Sequence, residues 1–166
     1  MLEWYSTLKE LQYLIKMKII DIINEEIKNQ FKFELTEEED RITITASYEN
    51  NNIGNVVSEI LFNSYQYEFD DVFSEEEFDE IYPEDQIVKI EYIDINDSFK
   101  NQGIATKLMG LMMDTMKKRG YTQYYLNASP MGFTGLRLND LAEFYKKFGF
   151  KELKHQGNNV LMGVNF

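Results

Sequence analysis

Residues 100–105, Lys-Asn-Gln-Gly-Ile-Ala, carry the chemistry of an anion cradle. They stand between an alternating run, "QIVKIEYIDI" at 86–95, and a helical run that closes with "KKRG" at 117–120. The first backbone N–H groups of a helix have no intrahelical partner and carry partial positive charge, so acidic side chains normally collect there. Here the acids are missing and Lys100 stands just outside. That leaves room for a negative charge supplied by something else, and a pyrophosphate suits it well. Gly103 offers no Cβ to obstruct a phosphate approaching the backbone, and Ala105 keeps the next turn small. No Gly-Lys-Ser/Thr follows, so this is not a Walker loop, and one glycine stands where a dinucleotide fingerprint needs three. On these residues alone, a plain strand-to-helix turn containing a glycine is the other reading.

The elements that must position this loop are legible from periodicity. Residues 2 to about 29 read as one long helix, with Leu8, Leu11, Ile15, Ile19, Ile22 and Ile23 at helical spacing. "FKFEL" (31–35) and "RITITASY" (41–48) alternate as strands do, with "TEEED" as the turn between them. "ENNNIG" (49–54) reads as a second turn, and residues 55–69 as a long strand. Residues 70–86 form an acidic loop in which Ser74 and Glu77 match a capping box, predicting a short helix near 75–81 stopped by Pro83. In the helix after the 86–95 strand, Ile104, Ala105, Leu108, Leu111, Met112 and Met116 lie along one side, and Gly120 suits the C′ position. A strand at 121–128, a helix at 138–149 with Asn139 as cap and Gly149 as stop, and a hairpin of 150–155 with 160–166 across "QGNN" complete the chain. The expected fold class is α/β (α+β): a mixed, mostly antiparallel twisted sheet flanked by helices.

At 166 residues, a single domain over 1–166 is expected. It divides into an N-terminal helix (1–30), a strand meander (31–69), an acidic loop (70–86) and a ligand-binding core (87–166). The 43% apolar content and 23 Phe and Tyr residues exclude a disordered chain. There is no cysteine and His155 is the only histidine, which excludes disulfides, a cysteine nucleophile and a cysteine- or histidine-rich metal site. The net charge of −12 disfavours nucleic acid as a partner and fits either simple solubility or a cationic substrate. No run of about 18 apolar residues could span a membrane, and no signal-peptide pattern is present, so a cytoplasmic location is expected.

"KNQGIATKL" (100–108) resembles the [Arg/Gln]-x-x-Gly-x-[Gly/Ala] segment of the GNAT acetyltransferase superfamily. "LAEFYKKFGF" (141–150) resembles that family's later helix, with its tyrosine followed by Lys-x-Gly-Phe. The two lie in family order with one strand between them. Three departures stand out: Lys100 replaces arginine or glutamine, Ala105 replaces the commoner glycine, and Leu138 stands where an asparagine is usual. The long helix before the first strand is also not the usual beginning.

The resemblance implies an N-acyltransferase using acetyl-coenzyme A, with no metal. It places Ile95, Lys100, Asn101, Gln102, Gly103, Ile104, Ala105 and Thr106 against the coenzyme, and a splayed gap between the strands at 90–95 and 122–128 for its pantetheine arm. Tyr145 sits where the family's general acid sits, its other reading being an aromatic packing residue. An amine must be neutral to attack, so a base is expected. Glu91 is the first candidate, with Asp94 on the opposite face by strand alternation, though a bulge in this strand would exchange the two; a solvated or cross-strand-paired carboxylate is the alternative for both. Without a cysteine to carry the acetyl group, transfer should be direct, within a ternary complex. The acceptor should be a primary amine of a small molecule or protein, cationic in character. A homodimer is left open. The competing readings are a degenerate coenzyme A-binding interaction module and a toxin-like acetyltransferase acting on aminoacyl-tRNA.

Overall fold

The computed structural model describes residues 31–62, 69, 72–82, 86–130 and 137–165. The expected helix over 2–29 and the stop at Pro83 lie outside the described residues.

Three strands open the described chain: β1 (Phe31–Glu38), β2 (Arg41–Tyr48) and β3 (Asn51–Phe62). They form an antiparallel meander closed by two-residue turns, Glu39–Asp40 and Glu49–Asn50. Glu49 and Asn50 both take positive φ, 49° and 66°. Positive φ at both central residues belongs to the tight hairpin turns whose twist matches that of the flanking strands. This corrects the longer turn expected over 49–54: Asn51 already pairs with Tyr48, and β3 starts there.

Helix α1 (Glu75–Ile81) follows with the expected capping box. The Glu77 N–H donates to Ser74 Oγ at 3.3 Å and the Ser74 N–H donates to Glu77 Oε2 at 2.9 Å. Then come β4 (Gln86–Ile95), a 3-10 turn (Asp97–Phe99), helix α2 (Ile104–Lys118), β5 (Gln123–Ala128), α3 (Leu138–Lys146), β6 (Lys151–Gln156) and β7 (Asn159–Asn165). Helix α2 ends in a Schellman motif: the Tyr121 N–H reaches the Met116 carbonyl at 3.2 Å and the Gly120 N–H reaches Lys117 at 3.0 Å, with Gly120 at φ 92°. Helix α3 is shorter than expected. Its N-cap is Arg137, so Asn139 falls inside the first turn and does not cap it.

The seven strands form one sheet in the order β1-β2-β3-β4-β5-β7-β6. Every pair is antiparallel except β4 with β5, which α2 connects as a crossover. Alternation divides the side chains between two faces. One face carries Ile42, Ile44, Val56, Ile60, Val88, Ile90, Tyr124, Leu126 and Met162 against α2 and α3. The other carries Ile87, Tyr125 and Leu161 against Phe69 and the α1 residue Phe78. From α2 the core takes Ile104, Leu108, Met109, Met112, Met113 and Met116. Leu111 and Ala105, expected in that stripe, are only half-buried, while Met109 and Met113 face inward instead. Each buried methionine contributes roughly 1.5–3 kcal/mol of apolar burial. Flexible thioethers suit a helix laid across a twisted sheet.

Candidate functional site

The connection from β4 to α2 is a built loop. The Asn96 N–H donates to the Ile53 carbonyl on β3 at 2.8 Å, and Asn96 Oδ1 accepts from the Ser98 N–H at 3.1 Å. The Phe99 N–H closes back on Asn96 at 2.8 Å. Asn101 (φ 62°) and Gly103 (φ 79°) then turn the chain through the left-handed region into the helix. The first intrahelical bond runs from the Lys107 N–H to the Gly103 carbonyl at 3.0 Å. The N–H groups of Ile104, Ala105 and Thr106 therefore have no intrahelical acceptor. Among the described residues no side chain caps this end, and no acid stands in its first turn. A Cβ built on Gly103 would meet no atom of the described residues within 4 Å, so that side of the glycine is open. Lys100 is ion-paired with Asp97, and Gln102 Nε2 donates to the Ser98 carbonyl at 3.3 Å. Both side chains bond within the loop, and Asn101, Gln102 and Gly103 are exposed.

Beside this loop the sheet parts. Strands β4 and β5 pair at Val88–Tyr124, Lys89–Tyr125 and Ile90–Leu126 and no further, although β4 runs on to Ile95 and β5 to Ala128. The parting coincides with a bulge. On the β3 side, Ser58 pairs with Ile90 and Val57 with Tyr92, so Glu91 is the extra residue. A bulge bends its strand and sharpens the local twist, which carries the end of β4 away from β5. Ile95, Ile104 and Ala128 belong to the same apolar cluster on the α2 face.

The bulge also resets the alternation. Ile93 and Ile95 join the α2-side cluster, while Tyr92 and Asp94 are exposed on the other face. Glu91 Oε2 lies 2.8 Å from Arg41 Nη2. Arg41 projects away from α2, because its neighbour Ile42 faces α2. Glu91 and Asp94 therefore share a face, which corrects the opposite placement expected from uninterrupted alternation. Of the two carboxylates, Glu91 is engaged in an ion pair.

Tyr145 stands on α3, half-buried against the α2-side cluster. Its ring meets Phe144 edge-on at 5.1 Å and Phe150 at 6.2 Å. Burial pushes its phenol up to about 12, so the hydroxyl keeps its proton through neutral pH. His155 sits exposed on β6, 3.1 Å from Glu152 Oε2, as a hairpin surface residue. A cavity of about 320 Å³ lined by Lys32, Tyr48, Glu49 and Asn50 lies at the β2–β3 turn. Among the described residues, no cluster of acidic or histidine side chains gathers to hold a metal ion, and no helix is long and apolar enough to cross a membrane.

Sequence reasoning missed Arg41, Gly54 and Phe99. Gly54 pairs with Ile95, and a Cβ there would fall 2.6 Å from the Asp94 carbonyl oxygen, so only glycine lets β3 approach the end of β4. A glycine inside an apolar strand was the signal available. Arg41 and Phe99 carried none, because their partners are distant in sequence.

The sequence model of the acetyltransferase (GNAT) family matches residues 3–150. No curated protein matches the sequence. Among solved structures, the chain resembles the PaiA N-acetyltransferase of Thermoplasma acidophilum in complex with coenzyme A. The TM-score is 0.53 at 17% identity, covering 76% of this chain and 62% of that one. A GNAT family acetyltransferase of Elizabethkingia anophelis with acetyl-CoA bound gives 0.52 at 14% identity, over 82% of this chain and 99% of that one. An Arabidopsis thaliana protein in complex with a bisubstrate analogue, CoA-Ac-MVNAL, gives 0.51 at 17% identity, over 75% and 72%. The chain thus spans less than two thirds of the first of these, and at these identities the likeness is one of fold.

Proposed function

The chain belongs to the GNAT acetyltransferase family, and from that premise we propose that it is an acetyl-coenzyme A-dependent N-acyltransferase acting on a primary amine. Acetyl transfer is the chemistry of the family; the acceptor and the residue roles are this proposal's own. The observation that carries it is the uncapped start of α2, open in front of Gly103, at the end of a strand that parts from its parallel neighbour after Ile90. The N–H groups of Ile104, Ala105 and Thr106 would hold the pyrophosphate, with Asn101, Gln102 and Gly103 shaping the turn and Ile95 beside the pantetheine gap. Lys100 would contribute charge only in competition with Asp97. The solved neighbours holding coenzyme A or acetyl-CoA support this choice of co-substrate.

The acyl donor supplies an activated thioester carbonyl. The acceptor nitrogen attacks it as the neutral amine, and a carboxylate on the outer face, Glu91 first, would take the ammonium proton directly or through water. Tyr145 would serve the leaving sulfur. Its phenol is a weak acid at about 12, and full proton transfer to a thiolate, whose conjugate acid lies near 8.5, runs uphill by several kcal/mol. Tyr145 therefore acts as a hydrogen-bond donor that stabilises the developing thiolate. With no cysteine in the chain, transfer is direct, and the bisubstrate analogue in one neighbour supports a ternary complex. The acidity of the chain and the exposed carboxylate of Asp94 favour a cationic acceptor.

A second reading, a coenzyme-binding module without turnover, is favoured by one observation: Glu91 is already held by Arg41. The test is thiol release from acetyl-CoA across a panel of small and peptidyl amines, alongside melting with coenzyme A. Saturation at about 100 times the dissociation constant should stabilise the fold by roughly 2.7 kcal/mol. Stabilisation without thiol release would select the module; no stabilisation at millimolar coenzyme would overturn both readings.

A further inference from the structure

We infer that Phe99 is a positioning residue for the diphosphate of the acyl donor, and that the β1–β2 edge of the sheet sets donor affinity through it. The inference rests on the proposed coenzyme site. Phe99 ends the 3-10 turn and immediately precedes Lys100. Its ring is partly buried against the α2-side cluster. It meets Tyr48 on β2 at 5.6 Å between centroids and Phe31 on β1 at 6.4 Å, nearly perpendicular to the latter. Phe31 and Tyr48 meet each other at 5.7 Å and are register partners on their strands. Three rings thus lock the start of the loop to the first two strands. The backbone at Asn96 is tied separately to Ile53 on β3.

The physical consequence follows from what the loop must do. Its ligand contacts are backbone N–H groups, which no rotamer change can re-aim. If the loop is free before binding, binding must order it, and affinity falls by that cost. The aromatic cluster orders it in advance. The proposed site puts the acyl end of the donor at the parting of β4 and β5 and not at this cluster, so the effect should fall on KM and not on kcat. It also belongs only to donors that carry a diphosphate.

The experiment compares the full chain with Phe99→Ala and Phe99→Tyr, using acetyl-CoA and S-acetyl-pantetheine, which lacks the diphosphate. Phe99→Ala should raise KM for acetyl-CoA about tenfold or more, with kcat within about threefold and KM for acetyl-pantetheine within about twofold. Phe99→Tyr keeps the ring and should restore the wild-type value. Equal losses with both donors would make Phe99 merely structural and overturn the inference, as would an unchanged KM. If Phe99→Ala does not fold, Tyr48→Leu removes a ring from the cluster without touching the loop, and the same donor split is expected. Calorimetry of coenzyme A with the wild type keeps the two levels apart. No binding there overturns the coenzyme site itself. Binding that Phe99→Ala leaves unchanged overturns only the role of Phe99.

Discussion

Arg119 grips Glu37 with both arms of its guanidinium, Nη1 to Oε1 at 2.6 Å and Nη2 to Oε2 at 2.8 Å. This fork joins the C-cap of α2 to the far end of β1. The other end of β1, at Phe31, meets Phe99 just before α2 begins. The spans agree: the six residue steps from Phe31 to Glu37 cover about 20 Å and the 15-residue helix about 22 Å. Helix α2, which packs across β2, β3 and β4, is therefore also tied to the edge strand, through its C-cap and through the turn that precedes it.

The hydrogen bonds from Arg119 hold the Glu37 carboxyl below its ordinary range. A carboxyl depressed in the folded state stabilises above its unfolded pKa, and that contribution fades as pH falls through the folded value. Arg119→Ala should therefore melt below the wild type at neutral pH. The two curves should converge below about pH 4 and in about 1 M salt. A gap independent of both pH and salt would show that the pair contributes nothing electrostatic.

Gly103→Val should weaken coenzyme A binding by at least about tenfold, since the branched side chain would fill the space in front of the helix end. The core is untouched, because a Cβ there meets no atom of the described residues within 4 Å. The positive φ of 79° adds a backbone strain of about 1–2 kcal/mol. Melting separates that strain from the affinity loss. Unchanged affinity by calorimetry would remove the pyrophosphate assignment.

Tyr145→Phe keeps the ring and its contacts with Phe144 and Phe150 and removes only the donor. Losing one preorganised donor to the developing thiolate should lower turnover about 10²-fold, with donor affinity nearly constant; a rate within about threefold of wild type would leave Tyr145 as a packing residue. The raised phenol also gives a pH signature. A group whose folded pKa lies near 12 against about 10 unfolded keeps its proton in the folded state while the unfolded chain loses it. Stability is thus full below about pH 10 and falls toward about pH 12. Tyr124, likewise pushed up to about 12 by burial, acts in the same sense. Tyr145→Phe should shallow the alkaline fall in melting temperature.

Gly163 lies beneath Tyr82. A Cβ at Gly163 would come 2.1 Å from the Tyr82 hydroxyl and 2.7 Å from Leu153 Cδ1. Tyr82 is 2% exposed and its hydroxyl points to the Tyr124 carbonyl at 3.4 Å, so it has little room to retreat. Gly163→Ala should cost about 1–3 kcal/mol in denaturant unfolding. Adding Tyr82→Phe, which deletes the nearest atom, should recover part of the loss. Purely additive effects would show that the two residues do not compete for this space.

The sequence by itself determined the elements and the loop. Alternation at 31–48 and 86–95 set the strands, Ser74 and Glu77 set the start of α1, and the acid-free opening at Gly103 marked the loop proposed as an anion cradle. These are local signals, carried by interactions within about four residues. The tertiary structure alone decided where β4 leaves β5, and it did so through a bulge at Glu91. Whether a strand carries an extra residue depends on the register of its neighbour, which no local pattern records. The same holds for the partners of the key side chains: Arg41 reaches Glu91 across 50 positions, and Arg119 reaches Glu37 across 82. It also holds for α2, whose apolar residues ring more than one side. Only the sheet beneath chose Met109 and Met113 over Leu111 for burial, because a helix surface is sorted by what it packs against.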